Sequence, residues 1–368
     1  MTSSHQDRVR WRCQAGDVGI TLSAPQEWAD VQRLHLCEYL PPTEGGDSVE
    51  EFRLDVYTDG DLPGQMTRPA SRTTATLIET IPGLALRRVQ EAGGWQCFTV
   101  ASDAVEGRPG AWAARSRGRE LELFLRDGSP QAHRYPLRLI REAMLRTHEN
   151  HGGIIFHAAA ANLHGTGVMV CGPRGAGKTT TLACLLRAGG MLLSNDRVIL
   201  HGRERLVAVP LPVPVARGTL DAFPELADSV EPSVAATLPD SFGSLHKVAI
   251  SARQFATTLG AAMIPTAKLR LIVLPRLTDT REPARGTRVR PQQARDVLSQ
   301  SCFTPHDEFW IRPWLVARTE SHAALAVRAR ELVDDLAKSV PCVVVHCGVR
   351  NPAGVLQAAV LDALNSVT

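Results

Sequence analysis

Residues 168–187 read VMVCGPRGAGKTTTLACLLR. An apolar run leads in, a helix-forming run leads out, and Gly172, Gly177, Lys178 and Thr179 between them satisfy the spacing G-x-x-x-x-G-K-[ST]. That spacing has a physical reason. Glycines let the backbone curl until successive N–H groups converge on one phosphate, and the helix that follows aims its partial positive end at the same anion. Gly172, Pro173, Arg174, Gly175, Ala176, Gly177, Lys178, Thr179 and Thr180 are therefore the candidate nucleotide-binding stretch. Lys178 is placed to reach the β/γ oxygens as a point charge, Thr179 to ligate Mg²⁺ through its hydroxyl, and Thr180 to meet the α-phosphate. The motif predicts a strand–loop–helix unit of an α/β fold, and many NTPases and kinases share it, so it does not fix the reaction.

Working outward, GIIFHAAAANLHGTGVMVCG (153–172) predicts a hairpin of two buried strands around LHGTG. GGMLLSNDRVIL (189–200) predicts strand, polar step, strand; LRLIVLPRL another buried strand; RELVDDLAKSVPCVVVHCG helix then strand. NPAGVLQAAVLDALNS predicts a last helix with Asn351 as N-cap and Pro352 at its first position. Residues 217–245 and 278–312 are rich in Pro, Asp, Ser and Thr and are expected to be lids or substrate loops. Residues 9–150 differ: VGITLSA, EEFRLDVYTDG, LALRRVQEAG, WQCFTVAS, AWAARSRG and ELELFLRDG are short strand-like pieces between turn residues, followed by a helical pattern through Leu137, Ile140, Met144 and Leu145. The expectation is an α/β (α+β) chain: a mainly β domain over 1–150 that closes with a helix, then a P-loop domain over 151–368.

The chain has 368 residues, 44% apolar and 21% charged, with a net charge of +3. So small a charge gives no ground for a nucleic-acid or membrane partner. The first residues lack the apolar core of a signal peptide, and no apolar run is long enough to span a bilayer. The eight cysteines form no CxxC pair and sit mostly in apolar runs, as expected for reduced thiols in a cytoplasmic protein. Only four lysines occur, at 178, 247, 268 and 338, against many arginines. A lysine in such a chain marks a position that wants a compact ammonium.

Two side chains beside the loop can do more than hold phosphate. Asp196 lies seventeen residues after Thr179, at a strand end beside the loop's strand, where a carboxylate could take a proton from an incoming hydroxyl; an Asn195–Asp196 turn is the structural alternative. His157 lies fifteen residues before Gly172, on the preceding strand, as the second candidate beside the loop or as a satisfied core histidine. His164 falls in the turn and is expected to be solvated. LRLIVLPRL ends in Pro-Arg, with no acid of the kind that orients water in many NTPases.

FHAAAANLHGTGVMVCGPRGAGKTT followed by MLLSNDRVIL resembles the catalytic core of the HPr kinase/phosphorylase superfamily, and more closely the HPr-kinase-like kinases of bacterial gene clusters. The resemblance covers about residues 150–220. It implies a P-loop domain similar to the nucleotide-binding part of phosphoenolpyruvate carboxykinase. It also implies that His157 lies near the transferred phosphoryl group, Lys178 holds phosphate, Thr179 binds metal and Asp196 is the general base. Two positions depart from the family. Asn195 stands where it has the first of two aspartates, and Val215, before Arg217-Gly218, stands where bifunctional members carry a metal-binding Glu.

The sequence therefore points to a Mg-ATP-dependent kinase with ATP and Mg²⁺ as cofactors. Catalysis would rest on Asp196, His157 and Lys178, and metal binding on Thr179 and Asp196. Its partner would be a hydroxyl-bearing substrate, either a Ser/Thr of a peptide or protein or a small-molecule alcohol; a homo-oligomer stays open, since the sequence does not give the oligomeric state. A P-loop ATPase that drives a partner and a nucleotide-binding regulator that has lost catalysis are the rival readings. TPHDEFWIRPW (304–314) is a candidate acceptor loop through His306, Asp307, Arg312, Trp310 and Trp314, or else a surface loop anchored by its tryptophans; Arg217 and Lys247 are candidate phosphate contacts.

Overall fold

In a computed structural model the described residues are 7–42, 48–58, 75–103, 112–126, 132–307 and 312–365. The fold is mixed α/β, and the chain divides into two units: Met1–Asn150 with His306–Thr319, and His151–Pro305 with Glu320–Thr368.

The first unit is built on one eight-stranded sheet. Its strands are β1 (Arg8–Ala15), β2 (Val18–Pro25), β3 (Glu50–Tyr57), β4 (Thr76–Ile81), β5 (Leu84–Gln90), β6 (Gln96–Asp103), β7 (Trp112–Arg117) and β8 (Glu120–Leu125), in the order β1-β2-β3-β8-β7-β6-β5-β4. The period of two is plain in β3, where Phe52, Leu54 and Val56 are buried and Arg53, Asp55 and Tyr57 face the other way. Helix α1 (Gln26–Cys37) connects β2 to its parallel neighbour β3 and buries Ala29, Gln32 and Leu36. The sequence reading missed this helix because one of its three inward positions is a glutamine. Helix α2 (Arg134–Asn150) packs on β1 and β2.

The segment 312–319 is fastened to this unit. Trp314 is buried, edge-on to Phe98 with ring centres 5.2 Å apart and 6.0 Å from Trp112. Its backbone N–H donates to Glu142 Oε1 at 3.1 Å, and Arg318 grips Glu149 of α2 through Nε at 2.9 Å and Nη2 at 3.2 Å. Trp314 is thus a core residue and acts as the anchor expected under the alternative reading of residues 304–314. Trp310 lies outside the described residues.

The second unit holds a nine-stranded sheet. Its strands are β9 (Ile154–Phe156), β10 (Ala158–Leu163), β11 (Thr166–Cys171), β12 (Met191–Ser194), β13 (Val198–His201), β14 (Arg205–Ala208), β17 (Thr266–Thr278), β18 (Arg285–Arg288) and β19 (Cys342–Gly348). The order β12-β10-β11-β17-β14-β13-β9 runs through β17, which also pairs with β19. Thirteen residues long, β17 pairs antiparallel with β14 through its first residues and parallel with β11 and β19 through the rest. β15 (Val213–Val215) and β16 (Val248–Ile250) form a separate ribbon.

Helices follow on both faces. They are α3 (Lys178–Arg187), the short α4 (Arg217–Ala222), α5 (Pro224–Ala227) and α6 (Pro232–Ala235), then α7 (Ala252–Thr258), α8 (Pro291–Ser301), α9 (His322–Ser339) and α10 (Ala353–Asn365). One apolar layer joins α3 and α10 through Leu182, Leu186, Leu356 and Val360 to Val168, Val170, Leu271 and Val273. The opposite layer joins α8 and α9 through Leu298, Val333 and Leu336 to Met169, Ile272 and Leu274. Alternate residues of β11 and β17 thus face opposite layers, which explains why both strands read as unbroken apolar runs. The last helix begins at Ala353, and Asn351 does not cap it by accepting: its Nδ2 donates to Glu282 O at 2.7 Å and Gly348 O at 3.1 Å.

Candidate functional site

The loop Gly172–Gly177 leaves the C-terminal end of β11 beside its parallel neighbour β17, the edge of an α/β sheet where ligands gather. Two glycines are needed there for different reasons. Gly175 has φ +84° in open space; Gly177 has φ +97° and lies so close to β17 that a Cβ would stand 2.2 Å from Leu277 Cδ1. Gly177 is also the residue before α3 and has no side chain to cap the helix, a start that suits an anion at its first N–H groups. Pro173, Arg174 and Gly175 are exposed, and Ala176, Gly177, Lys178, Thr179 and Thr180 are half-buried.

Lys178 folds back over the loop, and its Nζ donates to Gly172 O at 2.9 Å and Pro173 O at 3.2 Å. Desolvation pushes its ammonium down to about 8, with Asp196 pulling the other way and Lys247 and Arg174 adding repulsion. A phosphate would supply the negative charge that this ammonium lacks. Thr179 Oγ1 donates to Asn195 Oδ1 at 3.4 Å, and Thr180 Oγ1 shares a hydrogen bond with Thr219 Oγ1 of α4 at 2.9 Å.

Asp196 lies in the turn between β12 and β13. The turn is closed by Ser194 Oγ, which donates to Arg197 O and accepts from Val209 N at 3.2 Å. β12 pairs with β10, so one strand separates it from β11. His157 sits where the chain breaks between β9, which pairs with β13, and β10, which pairs with β11. The break frees its side chain from the alternation of a continuous strand. The two residues meet: His157 Nε2 is 3.3 Å from Asp196 Oδ1, while Arg197 Nη1 is 2.6 Å from Asp196 Oδ2. Asp196 keeps 29% of its side-chain surface and His157 14%, so both can be reached from solvent. Burial alone would raise the Asp196 carboxyl, but the His157 hydrogen bond and the charges of Arg197 and Lys178 outweigh it and hold the group below the ordinary carboxylate range.

Three residues of this cluster escaped the sequence reading. Arg197, 4% exposed along its side chain, was one residue past the aspartate. Phe303 lies one residue before the candidate acceptor loop; its ring stacks on His157 at 5.0 Å and carries the Arg197 guanidinium at 5.1 Å. Thr219 had no signal beyond its place after Arg217-Gly218. Lys247 precedes β16 and stays exposed; loss of solvent at its ammonium and the nearby Arg174 lower its pKa against the pull of Asp196. Arg217 points elsewhere: it binds Ala235 O at 3.1 Å and pairs with Asp221 and Asp240 at 3.4 Å each. Val215 is fully buried in β15, so this position offers no metal ligand. His164 is exposed in the turn, as expected, with φ +49°.

The donor set suits a hard cation that keeps much of its own water. The Thr179 hydroxyl, the Asn195 amide and the Asp196 carboxylate all offer oxygen, the donor type that Mg²⁺ takes. Among the described residues no three His, Cys, Asp or Glu side chains cluster as a metal site, so phosphate oxygens and water would complete the shell. Among the described residues no helix is long and apolar enough to cross a membrane.

No protein-family model matches the chain, and no curated protein matches it in sequence. Among solved structures, the Hpr(Ser) kinase/phosphatase from Coxiella burnetii is similar to it at 11% identity, over 58% of this chain and 97% of that one, with a TM-score of 0.25.

Proposed function

We propose that this chain is a Mg-ATP-dependent kinase that transfers the γ-phosphoryl group to a hydroxyl. The observation that carries the reading is the pairing of a P-loop, whose Lys178 donates to the loop carbonyls, with a solvent-reachable Asp196 held by His157 at 3.3 Å. A loop alone supports nucleotide binding; a fixed carboxylate beside it supports proton removal from an alcohol.

ATP is the phosphoryl donor and hence a substrate. The loop N–H groups and the uncapped start of α3 bind its phosphates, and Lys178 leaves the loop carbonyls for the β/γ oxygens. Thr179, with the amide oxygen of Asn195, would hold Mg²⁺, which when bound supplies positive charge against the phosphates. Asp196 accepts the proton of the acceptor hydroxyl as that oxygen bonds to the γ-phosphorus and the bond to ADP breaks. His157 donates a hydrogen bond to Asp196 Oδ1 and keeps the carboxylate turned toward the transfer path.

The test is γ-labelled ATP incubated with host lysate, fractionated into protein and small-molecule pools. Label in either pool that is lost, by a factor of about 10²–10³, on Asp196→Asn supports the kinase and names the acceptor class. Phosphate release with no labelled acceptor, unchanged by Asp196→Asn, supports an ATPase instead. Tight ATP binding with neither outcome supports a regulator, the reading that Asn195 favours by removing a carboxylate from beside Thr179.

A further inference from the structure

We propose that Arg197 and Phe303 are positioning residues: they fix the Asp196 carboxylate so that Oδ2 is taken and Oδ1, beside His157, receives the acceptor's proton. The inference rests on the kinase reading above and adds to it which oxygen does the work and what aims it.

The geometry is specific. A carboxylate on a turn can rotate about its Cβ–Cγ bond and offer either oxygen. Here Arg197 Nη1 lies 2.6 Å from Oδ2, and charge-assisted contacts of this kind are short and directional. Arg197 cannot swing away easily, because its side chain is buried and its guanidinium lies 5.1 Å from the centre of the Phe303 ring. The same ring lies under His157 at 5.0 Å, with planes 16° apart. One aromatic ring therefore sets the two groups that hold the two oxygens of Asp196.

Phe303 is itself held from both sides of the chain. The His157 N–H donates to Ser301 O at 2.6 Å, the Phe303 N–H donates to Ile155 O at 2.8 Å, and the Ile155 N–H donates to Thr304 Oγ1 at 3.0 Å. The end of α8 thus runs alongside β9 as a short added strand, bridged at Phe156 and Cys302, and brings Phe303 to the strand break that carries His157. Neither residue needs to touch a substrate. During transfer the hydroxyl proton passes to Oδ1, the acceptor oxygen bonds to phosphorus, and ADP leaves. Arg197 keeps its contact with Oδ2 throughout and balances the charge that the carboxylate loses and regains.

The test uses the full chain, Mg-ATP and the acceptor found by labelling, with water as the acceptor for slow turnover. Arg197→Gln is expected to lower kcat by on the order of 10²-fold, the cost of a misaimed group, while KM for ATP and the directly measured ATP affinity stay within about twofold. Phe303→Leu keeps the apolar volume and is expected to lose about tenfold in kcat; Phe303→Tyr, which keeps the ring, is expected to recover most of that loss. A second readout needs no turnover. The guanidinium N–H resonances of Arg197 are expected to be resolved and slow to exchange, and to collapse in Asp196→Asn and in Phe303→Leu. Parallel losses of kcat and ATP affinity, or Leu and Tyr at position 303 behaving alike, overturn the inference in favour of a merely structural role. Arg197 resonances that ignore Asp196→Asn overturn it as well. A wild-type protein that shows the resonance signature but transfers no phosphoryl group at all overturns the kinase reading itself, and leaves Arg197 as a structural contact only.

Discussion

Replacing Gly177 with alanine separates two costs that the loop carries. The first is conformational: φ of +97° lies in the left-handed region, where a Cβ costs about 1–2 kcal/mol. The second is steric, since the new Cβ would stand 2.2 Å from Leu277 Cδ1 and 2.5 Å from Leu277 Cγ. Leu277 packs against the α3–α10 layer, and forced repacking of this kind costs about 1–3 kcal/mol. Gly177→Ala is therefore expected to destabilise the region by about 2–5 kcal/mol. Gly175→Ala is the control: at φ +84° with nothing within 4 Å of its Cβ, it carries the conformational cost alone. In the double variant Gly177→Ala/Leu277→Ala the clash disappears, so the pair should be less damaging than the sum of the single variants by about 1–3 kcal/mol. The assay has to be chosen with the sequence in mind. The tryptophans among the described residues, at 11, 28, 95, 112 and 314, belong to the first unit, so their fluorescence does not follow the second. Hydrogen exchange of peptides covering β11, α3 and β17 reads the right region. Equal costs for Gly175→Ala and Gly177→Ala, or an additive double variant, would refute the close-packing account.

Three further predictions concern Lys178, Asn195 and Trp314. The Lys178 pKa, pushed down to about 8 from 10.5, means that between those values the unfolded chain holds more protons than the folded one. Stability therefore rises with pH across that window, and the full penalty is present below about pH 8. For a half-buried group that penalty is about 1–2 kcal/mol, so Lys178→Met should be more stable than wild type at pH 7, lose the advantage near pH 10.5, and transfer phosphate about 10²-fold more slowly. Urea unfolding followed by far-ultraviolet circular dichroism at both pH values checks the sign. Asn195→Asp adds a carboxylate within reach of Thr179, and should lower the Mg²⁺ concentration for half-maximal turnover by about tenfold; an unchanged Mg²⁺ dependence would show that this side chain does not face the metal. Trp314→Ala should destabilise the first unit by about 3–5 kcal/mol in thermal unfolding, as the loss of a core aromatic against Phe98 and Trp112, and should leave ATP affinity unchanged.

What could be read from the sequence follows from what each interaction depends on. The loop was legible because its constraints are local: positive φ at Gly175 and Gly177, an apolar strand before and a helix after, all within twenty residues. β17 and β19 were legible because strands covered on both faces leave unbroken apolar runs. Helix α1 was not, because one of its few inward positions is Gln32, which bonds His133 O at 3.2 Å and so mimics a surface residue in composition. The site divides the same way. Asp196 and His157 could be singled out by their distance from the loop, but their partners could not. Phe303 comes from the end of α8, and only pairing of residues 301–303 with β9 carries it to His157; no periodicity or spacing around Phe303 encodes that pairing. Arg197 was adjacent in sequence yet carried no signal, since an arginine after a turn aspartate is ordinary on a surface and informative only once its side chain is known to be buried. The groups proposed to bind phosphate thus lie within one supersecondary unit, whereas those proposed to aim the base depend on a tertiary contact. Variants of the second kind should leave nucleotide affinity intact and change turnover, which is the separation that the Arg197 and Phe303 substitutions measure.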